Sequence, residues 1–168
     1  MTLHALVAYA TTHGSTAELA RCVARTLRDQ GLEAEALPAA QVTDVDAYDV
    51  VVIGSALSLG RWHRDARRLV RRHREALRRR AVWAFSSGPL DSTASDRDIP
   101  PVPSARRALD KVHARGHVTF GGRLEPGATG RLARMILDEG RGGDFRDWDA
   151  VASWARDIAA EAEAPESA

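Results

Sequence analysis

A polar stretch near the N-terminus reads Tyr9-Ala10-Thr11-Thr12-His13-Gly14-Ser15-Thr16. It follows the mostly apolar run 3–9, which is typical of a short buried β-strand. Beyond it, Gly31 is a residue that favours the end of a helix, and apolar residues recur before it at helical spacing: Leu19, Ala20, Val23 and Leu27. The polar stretch is therefore predicted to be the loop of a strand–loop–helix unit.

This loop carries hydroxyl groups at four of the six positions 11–16, with Gly14 among them. Backbone N–H groups and the dipole at a helix N-terminus favour a bound anion, and hydroxyls add hydrogen bonds. The loop lacks the lysine of a G-x-x-x-x-G-K-[ST] loop and the three glycines of a G-x-G-x-x-G fingerprint. We interpret it as a phosphate site for a prosthetic group. Ser15 and Glu18 also fit a capping box, which helps to define where the helix begins. The alternative is that the Ser and Thr hydroxyls only cap this helix.

Strand and helix patterns alternate along the rest of the chain, which favours a parallel sheet covered by helices on both faces. Further strands are predicted at 32–37, 49–55, 81–86 and 117–120. Further helices are predicted at 62–77, 104–114 and 147–162. In such a sheet, loops that leave neighbouring strands converge at the carboxyl edge, where ligands bind. The loops after the first, third and fourth strands are therefore expected to form one site.

Several segments together resemble a known family. Thr11–Thr16 match the Ser/Thr-rich loop that holds the FMN phosphate in flavodoxins. Segments 50–56, 60–63 and 147–148 are similar to one branch, the flavodoxin-like, menaquinone-dependent protoporphyrinogen oxidases. The resemblance implies a doubly wound α/β fold of the flavodoxin type, a three-layer sandwich around a five-stranded parallel sheet of order 2-1-3-4-5. It also implies FMN as cofactor and oxidation of protoporphyrinogen IX, with a quinone or another redox partner taking the electrons.

The same resemblance implies which residues contact FMN. The phosphate would lie on the first loop, formed by Thr11, Thr12, His13, Gly14, Ser15 and Thr16. The isoalloxazine ring would be bordered by a second loop, formed by Ser55, Ala56, Leu57, Ser58, Leu59 and Gly60. A third loop would offer hydroxyls and backbone amides to the polar edge of the ring, the alternative being a purely structural turn; it is formed by Ser86, Ser87, Gly88 and Pro89.

Two residues just after the second loop are candidates for roles beside the flavin. Trp62 would either stack on the ring or pack into the core, because its spacing to Ala66 and Leu69 is that of a helix face. His63 stands at a matching family position and is the candidate proton donor. The alternative for His63 is an ordinary solvent-exposed histidine.

Composition predicts the broad class of protein. A chain of 168 residues with 44% hydrophobic and 28% charged residues is predicted to form one globular domain over 1–162, with 163–168 a frayed acidic tail. No apolar stretch approaches the ~20 residues of a membrane span, and the N-terminus lacks signal-peptide features. The single cysteine, Cys22, excludes an internal disulfide and fits a cytoplasmic location. No metal site is predicted, so electron chemistry requires an organic cofactor.

Positive charge is concentrated in one segment. Arg61 to Arg80 contains ten arginines against Asp65 and Glu75, a net charge of +8 in a chain whose total is +1. This segment is interpreted as a solvated helix face, or as a surface that contacts an acidic protein or an anionic membrane. Nucleic acid is not an expected partner, because the total charge is near neutral and no recognition motif is present.

The sequence therefore predicts an FMN-dependent oxidoreductase, and three alternatives stay open. The first is a flavodoxin-type electron carrier, although carriers of this family are usually strongly acidic. The second is a reductase of quinones or nitro compounds that uses a nicotinamide donor. The third is an interaction module that has kept the fold and lost the flavin.

Overall fold

A computed structural model describes residues 2–11, 14–88, 99–121, 123–124, 143–144 and 146–163. Its strands are β1 (His4–Ala10), β2 (Glu33–Pro38), β3 (Val50–Ser58), β4 (Arg61–Trp62), β5 (Ala81–Ser87), β6 (Gly116–Phe120), β7 (Arg123–Leu124) and β8 (Gly143–Asp144). Its α-helices are α1 (Ser15–Asp29), α2 (Arg64–Arg72), α3 (Arg74–Arg78), α4 (Pro103–Lys111) and α5 (Trp148–Glu163), and a 3-10 turn spans Ala39–Gln41.

Five strands form a parallel sheet in the order β2-β1-β3-β5-β6, and β4 pairs antiparallel with the end of β3. Counted without the two-residue β4, this is the order 2-1-3-4-5, so the predicted doubly wound fold is confirmed. In register, Ala10 of β1 lies beside Ser55 of β3, and Ser55 lies beside Ser86 of β5. The carboxyl ends of these three strands therefore meet at one edge of the sheet.

Successive side chains along each strand point to opposite faces of the sheet, so the hydrophobic core has two halves. Even-numbered β1 residues such as Leu6 pack with Val51 and Leu69 on the side of α2, α3 and α4. Odd-numbered β1 residues such as Val7 pack with Val52 and the helices α1 and α5 on the other side. Each central strand is buried on both faces, which is why its sequence is a nearly continuous apolar run. The sheet is thus the rigid middle layer that positions its edge loops.

The capping box predicted for α1 is wrong. Ser15 already has helical geometry and the N-cap is Gly14, whose φ of 89° lies in the left-handed region that glycine tolerates. No side-chain hydrogen bond caps the helix in the described structure. At the other end Gly31 has φ 98°, and Leu32 N donates to Leu27 O over 3.1 Å, so the predicted glycine cap is confirmed.

The single helix predicted over 62–77 is also wrong at its start and in its middle. Trp62 belongs to β4, a strand that pairs with Leu57 and Ser58 across a tight turn. The helical part of this segment is divided into α2 and α3 at His73, which has a φ of −117° and lies between the two helices. Trp62 nevertheless packs into the core, where it is buried beside Ala66 and Leu69.

Candidate functional site

A hydrogen bond to the side chain of Thr11 closes the first loop. Gly14 N donates to Thr11 Oγ1 over 3.0 Å, which folds the chain back between β1 and α1. The left-handed conformation of Gly14 then turns the backbone so that α1 starts at Ser15. The first N–H groups of a helix have no partner within it, and here no described side chain caps them. The loop therefore offers backbone donors at the positive end of α1.

Thr16 brings a hydroxyl to the same place. Its side chain is fully buried, and Oγ1 has no hydrogen-bond partner among the described residues. Thr26, on the same helix, is nearly as buried, yet its Oγ1 donates to Cys22 O over 2.9 Å. A buried hydroxyl without a partner costs about 1–3 kcal/mol. Among the described residues of this loop, Thr16 is therefore the one whose buried hydroxyl a ligand atom could satisfy.

The second loop is the β3–β4 hairpin. Its two turn residues, Leu59 and Gly60, have φ values of 53° and 71°, as a type I′ hairpin turn requires. Ser55 secures the base of the hairpin, because its Oγ accepts from His63 N over 2.9 Å. Leu59 at the tip is 81% exposed, whereas Ala56 and Leu57 are half-buried. The loop thus presents aliphatic groups at the carboxyl edge of the sheet.

In the third loop, the hydroxyl of Ser86 stabilises the protein's own structure. Ser86 Oγ is buried, accepts from Trp62 Nε1 over 2.8 Å and lies 2.8 Å from His117 Nε2. It is therefore engaged under the sheet edge, and only the backbone of Ser86 remains available for the predicted flavin contact. Gly88 N donates to Phe120 O over 2.9 Å.

The second and third loops also touch each other. A Cβ atom at Gly88 would lie 2.9 Å from Leu57 Cβ, a distance that real Cβ contacts avoid. Glycine is thus required where the two loops approach. The predicted convergence of the loops after β3 and β5 is confirmed by this contact.

His63 has a structural task that the sequence did not reveal. Its Nδ1 accepts from Asp65 N over 3.0 Å and so caps α2. Because Nδ1 is the acceptor, the neutral ring carries its proton on Nε2. The ring is partly exposed, and its role as a proton donor stays a prediction that concerns Nε2 alone.

Two sets of contacts at the site were not predicted from the sequence. The Trp62–Ser86–His117 chain joins three strands, so only the strand register brings it together. Arg146, before α5, donates to Glu18 Oε2 over 2.8 Å and lies 4.6 Å from the centre of the Trp148 ring system. This contact fixes the start of α5 against the first turn of α1, beside the first loop.

Three of the predicted contact residues, Thr12, His13 and Pro89, lie outside the described residues, as does most of the segment 121–143. The remaining thirteen lie at the carboxyl edge of the sheet, either in the three loops or in the adjoining ends of β3, β5 and α1. Which of them touch FMN stays a prediction.

The order of the sheet and the loops that meet at its carboxyl edge define an α/β protein of the doubly wound class, and the uncapped helix and the buried hydroxyl at this edge fit an anion such as phosphate. More particularly, the chain belongs to the flavodoxin domain family, whose model matches residues 6–139. Membership of that family indicates that the chain binds FMN. Thr16 and the N-terminus of α1 fit the phosphate of that group.

Solved structures share the fold at low identity. A cysteine-to-serine mutant of a flavodoxin from Pseudomonas aeruginosa has a TM-score of 0.64 at 14% identity, over 96% of this chain and 100% of that one. Oxidised Flavodoxin 2 from Bacillus cereus has 0.62 at 17%, over 94% and 99%. Rubredoxin oxygen:oxidoreductase from Desulfovibrio gigas has 0.63 at 11%, and the match covers 95% of this chain and only 36% of that protein.

No curated protein matches the chain. The comparisons support the flavodoxin family, and they do not support the protoporphyrinogen oxidase branch. Among the described residues, none of the helices has the length and apolar character needed to cross a membrane.

Proposed function

We propose that this chain passes electrons between a reduced donor and an acceptor through FMN held at the carboxyl edge of its sheet. The phosphate would bind at Thr16 and the N-terminus of α1, and the ring would lie against the loops 55–60 and 86–89. The observation that carries the proposal is the buried Thr16 hydroxyl, which has no partner among the described residues. FMN, when bound, supplies the redox chemistry, and the protein positions it and limits its contact with water.

The protein groups have separate tasks in this proposal. Thr16 Oγ1 and the first N–H groups of α1 would donate to phosphate oxygens, a pairing favoured by the helix dipole. Leu57 and Leu59 would cover apolar parts of the ring. Ser86 would act indirectly, since its bond to Trp62 holds the base of the hairpin. His63 Nε2 is the candidate proton donor.

The test compares two matched variants on α1. Thr16→Val removes the hydroxyl with no change of shape, and Thr26→Val removes a hydroxyl that already has a backbone partner. Hydrogen bonds to charged groups contribute about 1.5–3 kcal/mol, so Thr16→Val is expected to weaken FMN binding by roughly 10- to 100-fold. Affinity is measured by quenching of flavin fluorescence. Thr26→Val is expected to retain the wild-type affinity for FMN.

Riboflavin lacks the phosphate, so its affinity for the same variants shows whether the Thr16 hydroxyl contacts the phosphate or the ring of FMN. If Thr16 contacts the phosphate, Thr16→Val weakens FMN binding and leaves riboflavin binding unchanged. Equal losses for both flavins would move the contact to the ring, and no loss for either would refute the assignment of Thr16.

A specific substrate oxidation is the second candidate. The predicted ring loops offer no aromatic side chain, because Trp62 is buried in the core and 55–60 and 86–89 contain no aromatic residue. A ring face without an aromatic cover would admit a substrate. The similarity of segment 60–63 to the protoporphyrinogen oxidases indicates protoporphyrinogen IX as that substrate, with a quinone as the electron acceptor. Turnover of protoporphyrinogen IX with menaquinone by the FMN-loaded protein would favour this enzyme, and its absence would leave the electron carrier.

A further inference from the structure

A cationic groove lies between α2 and α4, outside the flavin site. Its volume is about 150 Å³, and we define it by the four cations that line it: Arg67, Arg71, Arg107 and Lys111. Arg67 and Arg71 are one helical turn apart on α2, and Arg107 and Lys111 are one turn apart on α4. Helical spacing thus directs all four charges to the same groove. The buried residues Val70 and Ala108 form its floor.

Among the described residues, the four cations of the groove have no carboxylate counter-charge, unlike three arginines of the segment 61–80. Arg64, Arg78 and Arg80 each have a carboxylate oxygen nearby, at 3.8, 3.7 and 3.3 Å. Within the described parts of the chain, by contrast, none of the four groove cations has a carboxylate within 4.0 Å. Like charges held together without counter-charge repel one another and create a positive potential. An anionic partner would remove that repulsion.

The upper end of the cationic groove reaches the proposed flavin site. Ser104 lines the groove, and its Oγ accepts from Trp62 N over 3.1 Å. Arg67 Nε donates to Trp62 O over 3.2 Å. Trp62 belongs to the hairpin whose tip exposes Leu59, so an apolar tip and a charged groove adjoin on one side of the molecule. Protein interfaces commonly combine an apolar centre with charges that orient the partner.

We propose, on the basis of the proposed function, that this groove docks the carboxylate-rich face of the protein with which the chain exchanges electrons. A drug-sized organic ligand is a poorer occupant, since pockets for such ligands enclose about 300–1,000 Å³ and this groove is smaller and open. A membrane surface is also a poorer occupant. The apolar residues of α2 (Ala66, Leu69 and Val70) are buried in the core, so this helix has no free apolar face to insert into lipid.

Two double variants with the same change of net charge test the groove. Arg71→Glu with Arg107→Glu reverses two groove charges. Arg68→Glu with Arg72→Glu reverses two charges that lie on α2 but face the 3-10 turn. The probe is a fluorescein-labelled oligoglutamate peptide, and binding to FMN-loaded protein is followed by fluorescence anisotropy at about 20 mM ionic strength, where screening is weak. We expect the groove variant to lose about tenfold or more in affinity and the control less than about threefold.

Several outcomes would overturn the proposal. These are equal losses in both variants, full binding by the groove variant, or no binding of the peptide by the wild type. Vesicles of phosphatidylcholine and phosphatidylserine form a second arm; co-sedimentation that depends on Arg71 and Arg107, without peptide binding, would make a membrane the partner. If charge reversal prevents folding, judged by circular dichroism, the pairs Arg71→Gln with Arg107→Gln and Arg68→Gln with Arg72→Gln replace it.

Absorption spectra of the same samples show whether FMN is bound. They therefore distinguish a failure of the docking proposal from a failure of the proposed function. A groove variant that retains FMN and loses the peptide supports both. A wild-type protein that binds the peptide through the groove but never retains FMN would refute the proposed function, and the groove would remain an acidic-protein site.

Discussion

Gly54 shows at the scale of one residue how closely the base of the site is packed. It lies opposite Phe85 in the register of β3 and β5, and a Cβ atom here would overlap three atoms of the Phe85 ring. That ring cannot retreat easily, because it packs against Phe120 and Trp154 with centroids 5.7 and 6.0 Å away. Glycine at this position therefore makes room for an aromatic cluster.

We predict that Gly54→Ala lowers the free energy of unfolding by about 1–3 kcal/mol, the usual cost of overpacking a core. Urea denaturation followed by circular dichroism measures the change. Phe85→Leu should partly rescue the loss, since it removes the overlapping atoms. Strictly additive effects of the two substitutions would show that Gly54 and Phe85 do not compete for the same space.

Two helices end in the same motif with different residues, and this comparison belongs to the scale of elements. After α1, Gly31 occupies the left-handed position with φ 98°. After α4, His113 occupies it with φ 53°, and Ala114 N donates to Leu109 O over 3.0 Å as the motif requires. A side chain in this conformation costs about 1–2 kcal/mol, whereas glycine adopts it freely.

His113→Gly is accordingly predicted to stabilise the protein by about 1 kcal/mol, after subtraction of the entropy that glycine adds to the unfolded chain. His113→Ala is the control and should bring no gain, because alanine keeps the Cβ strain. The free energy of unfolding in urea is again the measurement. A gain with alanine equal to that with glycine would mean that the imidazole, and not its backbone, is unfavourable here.

Most elements could be predicted because their signals are local. The run Val50–Ile53 is apolar enough to specify a central strand, and the spacing of Leu19 to Leu27 specifies α1. The β4 strand could not be predicted, since two residues carry no periodicity. Its one signal was Gly60, a turn residue two positions before the aromatic Trp62. Ser15 was assigned to the N-cap from its hydroxyl, but the left-handed turn at that point requires glycine.

The site was predictable to the same extent. Its three loops follow three predicted strands, so the parallel order alone places them together. What each side chain does there was not predictable, because contacts such as Ser86 with Trp62 and His117 depend on register and on the hairpin. The sequence thus indicated which loops lie at one edge of the sheet and could not separate residues that would face a ligand from those that hold the loops.

At the scale of the whole molecule, the proposed binding of FMN is coupled to the folding of the chain. The proposed FMN contacts come from loops after β1, β3 and β5, which meet only when the sheet has formed. The unfolded chain therefore has no such site, and FMN must stabilise the native state by mass action. The cationic groove lies between α2 and α4, and Arg71 and Arg107 are exposed, so their charges can be changed with little effect on this coupling.

We predict that FMN at about 100 times its dissociation constant stabilises the protein by about 2.7 kcal/mol. For a domain of this size, that corresponds to a rise in Tm of roughly 5–10 °C. Thermal unfolding by circular dichroism, repeated over a series of FMN concentrations, measures it. Thr16→Val should require roughly 10- to 100-fold more FMN for the same rise, as expected when a hydrogen bond to phosphate is lost. Inorganic phosphate is the control, since it lacks the ring; a rise as large as that with FMN, or no rise with FMN at any concentration, would contradict a flavin site at this edge.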